Sequence, residues 1–454
     1  MTPRLRAARA RPCAAGNATG IAQNDSEIPI LREILQILPT ILLFWANLLD
    51  IFSKKNYFPK TGCKMSKLSI KNFGPIKSVS LDFKRINVLI GPQSSGKSTI
   101  LKIASFCNWL EKNIQLTQNP SEWFDSKVIR DQLITFHKLD GYASAGSEIL
   151  FKTETLQLAV KFLENNNIDV NFKWGKKRWD YKRTKNAYIP AERNIVASIP
   201  NWLDINFDRF NNVRNYMAEW DVARRKFDKM HKLDILDTGV SYFYDESSNS
   251  DFISLNKRTL NFSNASSGLQ SVIPQYALLS YLFDYSLLFE QTSLRRVLTE
   301  SKLRDLIEQN PKLQKRGIGD YYLSNCGVKV FLEEPEQNLF PQTQYALVKW
   351  LARKLNGNPC NSLFLSTHSP YILSSMNNLI QAKESATKDA GASARVKKIV
   401  GQSDFMNFDE ISVYGINNGR VKSLLDEENR LIAQSFLDSV SIDISKEFSD
   451  LIDV

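Results

Sequence analysis

The chain has 454 residues, 43% hydrophobic and 24% charged, which suits a globular protein with a sizeable core and room for two or three domains. Cys13, Cys63, Cys107, Cys326 and Cys360 are odd in number and form no C-x-x-C pair, and His137, His231 and His368 are scattered. A disulfide scaffold and a zinc cluster are therefore not expected, and a reducing cytosol is the compartment that fits. The net charge is +11; residues 1–64 carry nine bases against four acids, so the remaining 390 residues hold only +6. That balance permits nucleic-acid contact without demanding it.

Residues 1–27 are rich in Arg and Ala without periodicity. An apolar run follows at 34–52, interrupted by Gln36, Pro39, Asn47 and Asp50. At about 19 residues it is near the minimum for a membrane span, but the polar interruptions weaken that reading. Met65 opens a natural first strand. Residues 1–64 are read as sequence upstream of a start at Met65, with an anchor or amphipathic helix as the alternative, and no membrane role is expected for the core.

Strands are expected at 68–73 and 79–83 around the Gly74-Pro75 turn. The apolar run of Ile86, Val88, Leu89 and Ile90 then leads into Gly91-Pro92-Gln93-Ser94-Ser95-Gly96-Lys97-Ser98-Thr99, and an amphipathic helix is expected from Thr99 to Leu110. Strand, glycine loop and helix are the context in which G-x-x-x-x-G-K-S cradles phosphates. Main-chain N–H groups curl around the phosphate chain, Lys97 carries positive charge to the β- and γ-phosphates, and Ser98 offers a hydroxyl to Mg²⁺. A nucleoside-triphosphate site is the direct reading, with ATP and Mg²⁺ as its ligands.

Helices are expected near 104–113 and 128–136, then strands at 148–152, 155–163 and 167–174. The segment 173–185 interleaves Lys173, Lys176, Lys177, Arg178, Lys182, Arg183 and Lys185 with Trp174, Trp179 and Tyr181. Such a pattern can grip DNA, and it equally describes the solvated rim of an antiparallel ribbon. A short strand runs into Pro190-Ala191-Glu192-Arg193. A helical stretch is expected over 203–232, too short for a long coiled-coil arm, and strands return over 239–262.

Ser266-Ser267-Gly268-Leu269-Gln270 opens a long apolar helix through 287. A Ser-Gly pair at a helix N-terminus suits a γ-phosphate, although alone it is also an ordinary cap. Val328–Leu332 is an apolar strand ending in Glu333 and Glu334, which offers one carboxylate to the metal and the next to the attacking water. Another apolar strand at 362–367 ends beside His368, placed as a γ-phosphate contact would require. A hairpin at 411–424 and a helix at 426–440 are expected after it.

GPQSSGKS (91–98), SSGLQ (266–270), LEEPEQNLFP (332–341) and STHSPYIL (366–373) together resemble the ATP-binding-cassette class of P-loop ATPases, in the soluble branch of RecF, the chromosome-structural heads and the OLD family. With NAYIPAER (186–193), the chain looks most like the AAA-type ATPases of bacterial phage-defence systems such as Septu and PARIS. The resemblance implies an α/β P-loop head with a mixed central sheet at 65–110 and 255–440, an inserted α+β and helical lobe at 111–254, and a tail at 441–454. It implies a cytoplasmic Mg-dependent ATPase, with Glu334 as general base, His368 as switch residue and Glu333 with Ser98 on the metal. Ser267, Gly268 and Gln270 would contact nucleotide across a homodimer or larger assembly. Glu333 stands where the class usually has Asp, and Leu269 where transporters have Gly; Gln132 is a candidate for the γ-phosphate-sensing glutamine. No nuclease motif follows His368, so a separate nuclease or toxin is the expected effector. A RecF-like repair ATPase on duplex DNA is the alternative.

Overall fold

In the strand Ile86–Ile90, Ile86, Val88 and Ile90 belong to one buried cluster and Leu89 to another. The same alternation recurs in its neighbours: Val328, Val330 and Leu332 face one way and Phe331 the other, and Leu363 and Leu365 face opposite Phe364. Side chains of a strand alternate between faces, so this central sheet has a core on each side. That is why these strands are near-continuous apolar runs, as parallel strands covered on both faces must be.

The computed structural model describes residues 66–199, 202–208, 210–256, 258–285, 294–309, 325–433 and 439–452. The expectations for residues 1–64, including the apolar run at 34–52 and the start at Met65, lie outside the described residues. Among the described residues, no helix is long and apolar enough to cross a membrane.

The strands in chain order are β1 Ser66–Phe73, β2 Ile76–Phe83, β3 Ile86–Ile90, β4 Ala143–Lys152, β5 Leu156–Phe162, β6 Ile168–Trp174, β7 Thr184–Ile189, β8 Leu233–Asp234 and β9 Val240–Asp245. There follow β10 Ser250–Leu255, β11 Arg258–Asn261, β12 Gly327–Glu333, β13 Ser362–Thr367, β14 Ile411–Asn417, β15 Arg420–Ser423, β16 Leu425–Asp426 and β17 Leu431–Ile432. The helices used below are α1 Lys97–Thr117, α2 Asn212–Arg224, α3 Ser267–Asp284, α4 Pro341–Gly357, α5 Pro370–Ala386 and α6 Ser439–Ile452.

The central sheet runs β15-β14-β3-β13-β12-β7, with every pair parallel except the β14–β15 hairpin. A second, antiparallel sheet runs β2-β1-β4-β5-β6. The core between the two sheets is filled by α1, through residues such as Ile100, Ile103, Phe106 and Leu110, and by Phe83, Phe331 and Phe364. On the other face of the central sheet lie α2, α3, α4 and α5, through Trp220, Leu278, Leu347 and Leu373 among others. Burying each such side chain contributes roughly 1.5–3 kcal/mol.

The segment 111–254, expected as an inserted lobe, contributes strands to both sheets: β4 pairs with β1, and β7 forms an edge of the central sheet beside β12. β8 to β11 form a separate small sheet.

Two expectations are corrected. The helix foreseen over 203–232 is only α2. The Asn211 side chain accepts from the N–H groups of Val213 and Arg214 and fixes its start. Its other end is drawn away where the Phe227 carbonyl accepts from Tyr244 N in β9, at 2.6 Å. The helix foreseen over 426–440 is replaced in its first part by the β16–β17 hairpin. The Asp426 carboxylate accepts from the N–H groups of Glu428 and Asn429, Arg430 takes a left-handed φ of 51°, and Asn377 Oδ1 accepts from Ile432 N. Asp is a strong local competitor for helix N–H groups, and here the turn wins. Helix α6 begins later, at Ser439.

Candidate phosphate and hydrolysis site

Register sets the geometry. Thr367 pairs with Ile90, Glu333 with Ser366, and Leu332 with Ile189. The carboxyl ends of β3, β13, β12 and β7 therefore form one edge, where open α/β sheets bind ligands. That edge carries Gly91, His368, Glu333 with Glu334, and Pro190.

β3 runs directly into the phosphate loop. Gly96, at φ 102°, precedes the first residue of α1, and Ser94 has φ 58°. A Cβ on Gly91 would lie 2.3 Å from the Ile416 carbonyl oxygen, so only glycine allows this close approach to β14. Pro92, Gln93 and Ser94 form the exposed rim, while Ser95, Gly96 and Lys97 are buried, Ser98 is half-buried and Thr99 is buried. Lys97 Nζ donates to the carbonyls of Gly91 at 2.8 Å and Pro92 at 2.7 Å. Burial lowers its pKa to about 8, opposed by the negative charges of Glu334 and Glu336. The buried Ser95 Oγ has no hydrogen-bond partner among the described residues. A loop with a spare hydroxyl and an enclosed ammonium is a fitting cradle for an oxyanion chain.

At the end of β12 the two carboxylates diverge. Glu333 is buried, and its oxygens accept from Tyr188 OH at 2.8 Å and Ala191 N at 3.1 Å. Glu334 is half-exposed, and its Oε1 lies 3.5 Å from His368 Nε2. Its φ of 43° is left-handed, a conformation that costs a non-glycine residue of order 1 kcal/mol. The peptide is held there by Glu334 N donating to Ser366 O at 2.8 Å, and by Arg193 Nη2 donating to Glu334 O at 2.5 Å. Arg193 Nη1 also donates to Glu333 O at 2.7 Å.

Glu336 accepts from His368 N at 2.6 Å through Oε1, while its buried Oε2 has no partner among the described residues. The loop is tied to α3 as well: Gln275 Nε2 donates to Pro335 O at 3.0 Å. At the start of α3, Ser266 and Ser267 are exposed, and the Ser266 side chain makes no capping bond. A Cβ on Gly268 would sit 3.0 Å from Asn338 O, so the serine-glycine segment lies against the loop after β12. Gln270 Nε2 is spent on Ser263 O at 2.7 Å.

The structure thus gathers Lys97, Glu334 and His368 at one edge, with Ser267 and Gly268 against the loop that follows Glu334. Sequence reasoning assigned no role to Tyr188, Ala191, Arg193, Gln275 or Glu336. The only available signals were the third acid in Leu332-Glu333-Glu334-Pro335-Glu336 and an arginine at a strand end. Gln132 lies in the π-helical turn Arg130–Thr135, and its side chain makes no hydrogen bond to this site. Among the described residues, no group of three or more His, Cys, Asp or Glu could hold a metal. A magnesium ion on triphosphate needs fewer protein ligands, and a hydroxyl with a nearby carboxylate is the hard oxygen set it takes. Ser98 offers a hydroxyl and Glu333 a carboxylate of that chemistry, and each Glu333 oxygen already accepts one protein hydrogen bond.

Much of the basic segment is engaged internally. Arg178 stacks on Trp174 at 3.7 Å and donates to Gln118, Lys177 pairs with Glu154 at 2.5 Å, Lys185 with Glu219 at 3.6 Å, and Arg183 is buried. Lys173 and Lys176 are exposed.

A family model described as "AAA ATPase domain" matches residues 64–311. Among solved structures, the chain is similar to the SMC head domain from Thermotoga maritima, at 10% identity and a TM-score of 0.35, covering 80% of this chain and 99% of that one. It is also similar to the recombination mediator protein RecF, at 11% identity and a TM-score of 0.30, covering 80% and 98%. A bacterial ABC transporter cassette matches at 10% identity and a TM-score of 0.27, covering 78% and 96%. A comparison with curated protein sequences finds no match.

Proposed function

The chain belongs to the family of AAA ATPase domains, and from that premise we propose that it hydrolyses ATP with Mg²⁺ at the edge where β3, β12 and β13 end. The observation that carries the reading is the parallel register that aligns the phosphate loop, Glu334 and His368.

The N–H groups of residues 94–98 and the Lys97 ammonium bind the β- and γ-phosphates, Lys97 exchanging its two loop carbonyls for phosphate oxygens. Ser98 and Glu333 would hold Mg²⁺, which would supply charge neutralisation on those oxygens when bound. Glu334 orients the attacking water and accepts its proton, while His368, 3.5 Å from the Glu334 carboxylate, polarises the γ-phosphate and senses its loss. The exposed, uncapped start of α3 at Ser266, Ser267 and Gly268 supports a further reading. It would close on the nucleotide of a second copy, so that ATP joins two chains and hydrolysis releases them.

The biological role we propose is that of a cytoplasmic sensor or scaffold ATPase in phage defence, acting with a separate nuclease or toxin. Support for it is the joint occurrence of the phosphate loop, the Ser-Ser-Gly segment, Leu332-Glu333-Glu334-Pro335-Glu336, Ser366-Thr367-His368 and Pro190-Ala191-Glu192-Arg193. The test is to purify the Glu334→Gln protein from its native host in ATP and identify what accompanies it. A stoichiometric nuclease-like or toxin-like protein is the expected result. Duplex DNA alone would contradict the defence role and favour repair.

A further inference from the structure

We propose that Arg193 is a positioning residue for hydrolysis, its guanidinium fixing the main chain from which Glu334 reaches the nucleotide. This deepens the ATPase reading and rests on it.

Arg193 is 0% exposed, and no carboxylate oxygen among the described residues lies within ion-pair distance of it. Its Nε has no hydrogen-bond partner among the described residues. A buried guanidinium normally pairs with a carboxylate, because removing its charge from water is expensive. Of the carboxylates whose charge reaches it, Glu333 accepts from Tyr188 OH and Ala191 N, Glu336 accepts from His368 N, and Glu334 faces His368. Arg193 instead donates to three main-chain carbonyls, those of Pro190 at 3.3 Å, Glu333 at 2.7 Å and Glu334 at 2.5 Å. A planar fork can span two consecutive carbonyls at once, which a lysine ammonium with its single charged atom does not reproduce.

The peptide so grasped is the one with the unfavourable φ of 43° at Glu334. Relaxing that angle would swing the side chain away from His368, now 3.5 Å distant. Ser366 O holds the Glu334 N–H from β13, and Arg193 holds the carbonyls on both sides of that residue's N–Cα–C unit. The same stretch, Tyr188 to Arg193, thereby orients the Glu333 carboxylate and the Glu334 main chain together. Tyr216 OH of α2 donates to Arg193 O at 3.4 Å, which ties the stretch to the helix behind it.

The experiment is steady-state ATP hydrolysis by the full chain as Arg193→Ala and Arg193→Lys, with fluorescent-ATP binding and thermal unfolding measured on the same preparations. A misplaced base costs turnover rather than binding, so kcat should fall about 10- to 100-fold with KM for ATP within about threefold. Guanidinium at tens of millimolar should restore part of kcat to Arg193→Ala and none to Glu334→Gln. A folded Arg193→Ala protein with wild-type kcat, or one whose loss is wholly in KM, overturns the proposal. If the alanine variant does not fold, a folded Arg193→Lys protein with wild-type kcat overturns it equally, and a lowered kcat at unchanged KM supports it. Wild-type turnover in the same assay separates the two claims. Its absence would defeat the ATPase reading itself, whereas its presence beside unaffected Arg193 variants would defeat only the positioning role.

Discussion

His368 Nε2 stands 3.5 Å from Glu334 Oε1, while the same histidine's main-chain N–H donates to Glu336 at 2.6 Å. The residue is therefore fixed through its own main chain just after β13, the strand next to β12, which Glu334 follows. Removing the ring in His368→Ala should leave that backbone bond and the phosphate loop intact. We expect kcat to fall by about 10²-fold, the usual loss for one donor to transition-state charge, with ATP affinity little changed. Pre-steady-state phosphate release measures this, and a wild-type rate would remove His368 from the mechanism.

Lys97 gives a pH prediction. Burial lowers its pKa from 10.5 to about 8 in the folded, nucleotide-free chain. Between these two values the unfolded chain binds more protons than the folded one. Its contribution is thus a penalty fully present below about pH 8 and relieved as pH rises toward 10.5. ATP binding restores the charge, so affinity should decline above about pH 8, by at most tenfold per pH unit, with proton uptake on binding. Calorimetric titration at about pH 8.5 in buffers of different ionisation enthalpy reads that uptake. Affinity that stays flat from about pH 7 to 9 would show that the charge of Lys97 does not contribute.

Gly96→Ala should damage the loop without touching a charge. The residue sits at φ 102°, and a new Cβ would come within 3.1 Å of Ile76 Cγ1. Replacing glycine where φ is positive costs more than the ~1 kcal/mol that chain stiffening returns. A lower melting temperature and weaker nucleotide binding should appear together. Retention of both would mean that the loop takes another conformation.

Phe364 tests how the two sheets are joined. Its ring stacks on Phe331 at 4.7 Å and meets Phe83 of the second sheet edge-on at 5.0 Å. Phe364→Ala should lower stability by about 3–5 kcal/mol in urea unfolding. A loss below about 1 kcal/mol would mean that the cavity collapses at no cost.

The parallel strands and the phosphate loop were legible because their signals are local: apolar runs, turn residues and a fixed glycine spacing. The strand end at Glu333-Glu334 was legible for the same reason. The work of Pro190-Ala191-Glu192-Arg193 was not, since Arg193 meets Glu333 and Glu334 about 140 residues away in sequence, across the β7–β12 pairing. Strands were foreseen in 111–254, but sequence could not assign β4 to the second sheet or β7 to the central one. Partner choice depends on long-range pairing, which no local pattern encodes. The helix foreseen at 426–440 failed where Asp426 and Asn377 captured the N–H groups it would have used.

The most direct measurement is phosphate release by wild type and Glu334→Gln side by side, each in Mg²⁺ and in EDTA, with bound nucleotide quantified in the same samples. The account predicts turnover in wild type only with Mg²⁺, and a Glu334→Gln protein that holds ATP while releasing phosphate about 10²- to 10⁴-fold more slowly. Equal rates in the two proteins would contradict it, because the group at the end of β12 would then not be the base.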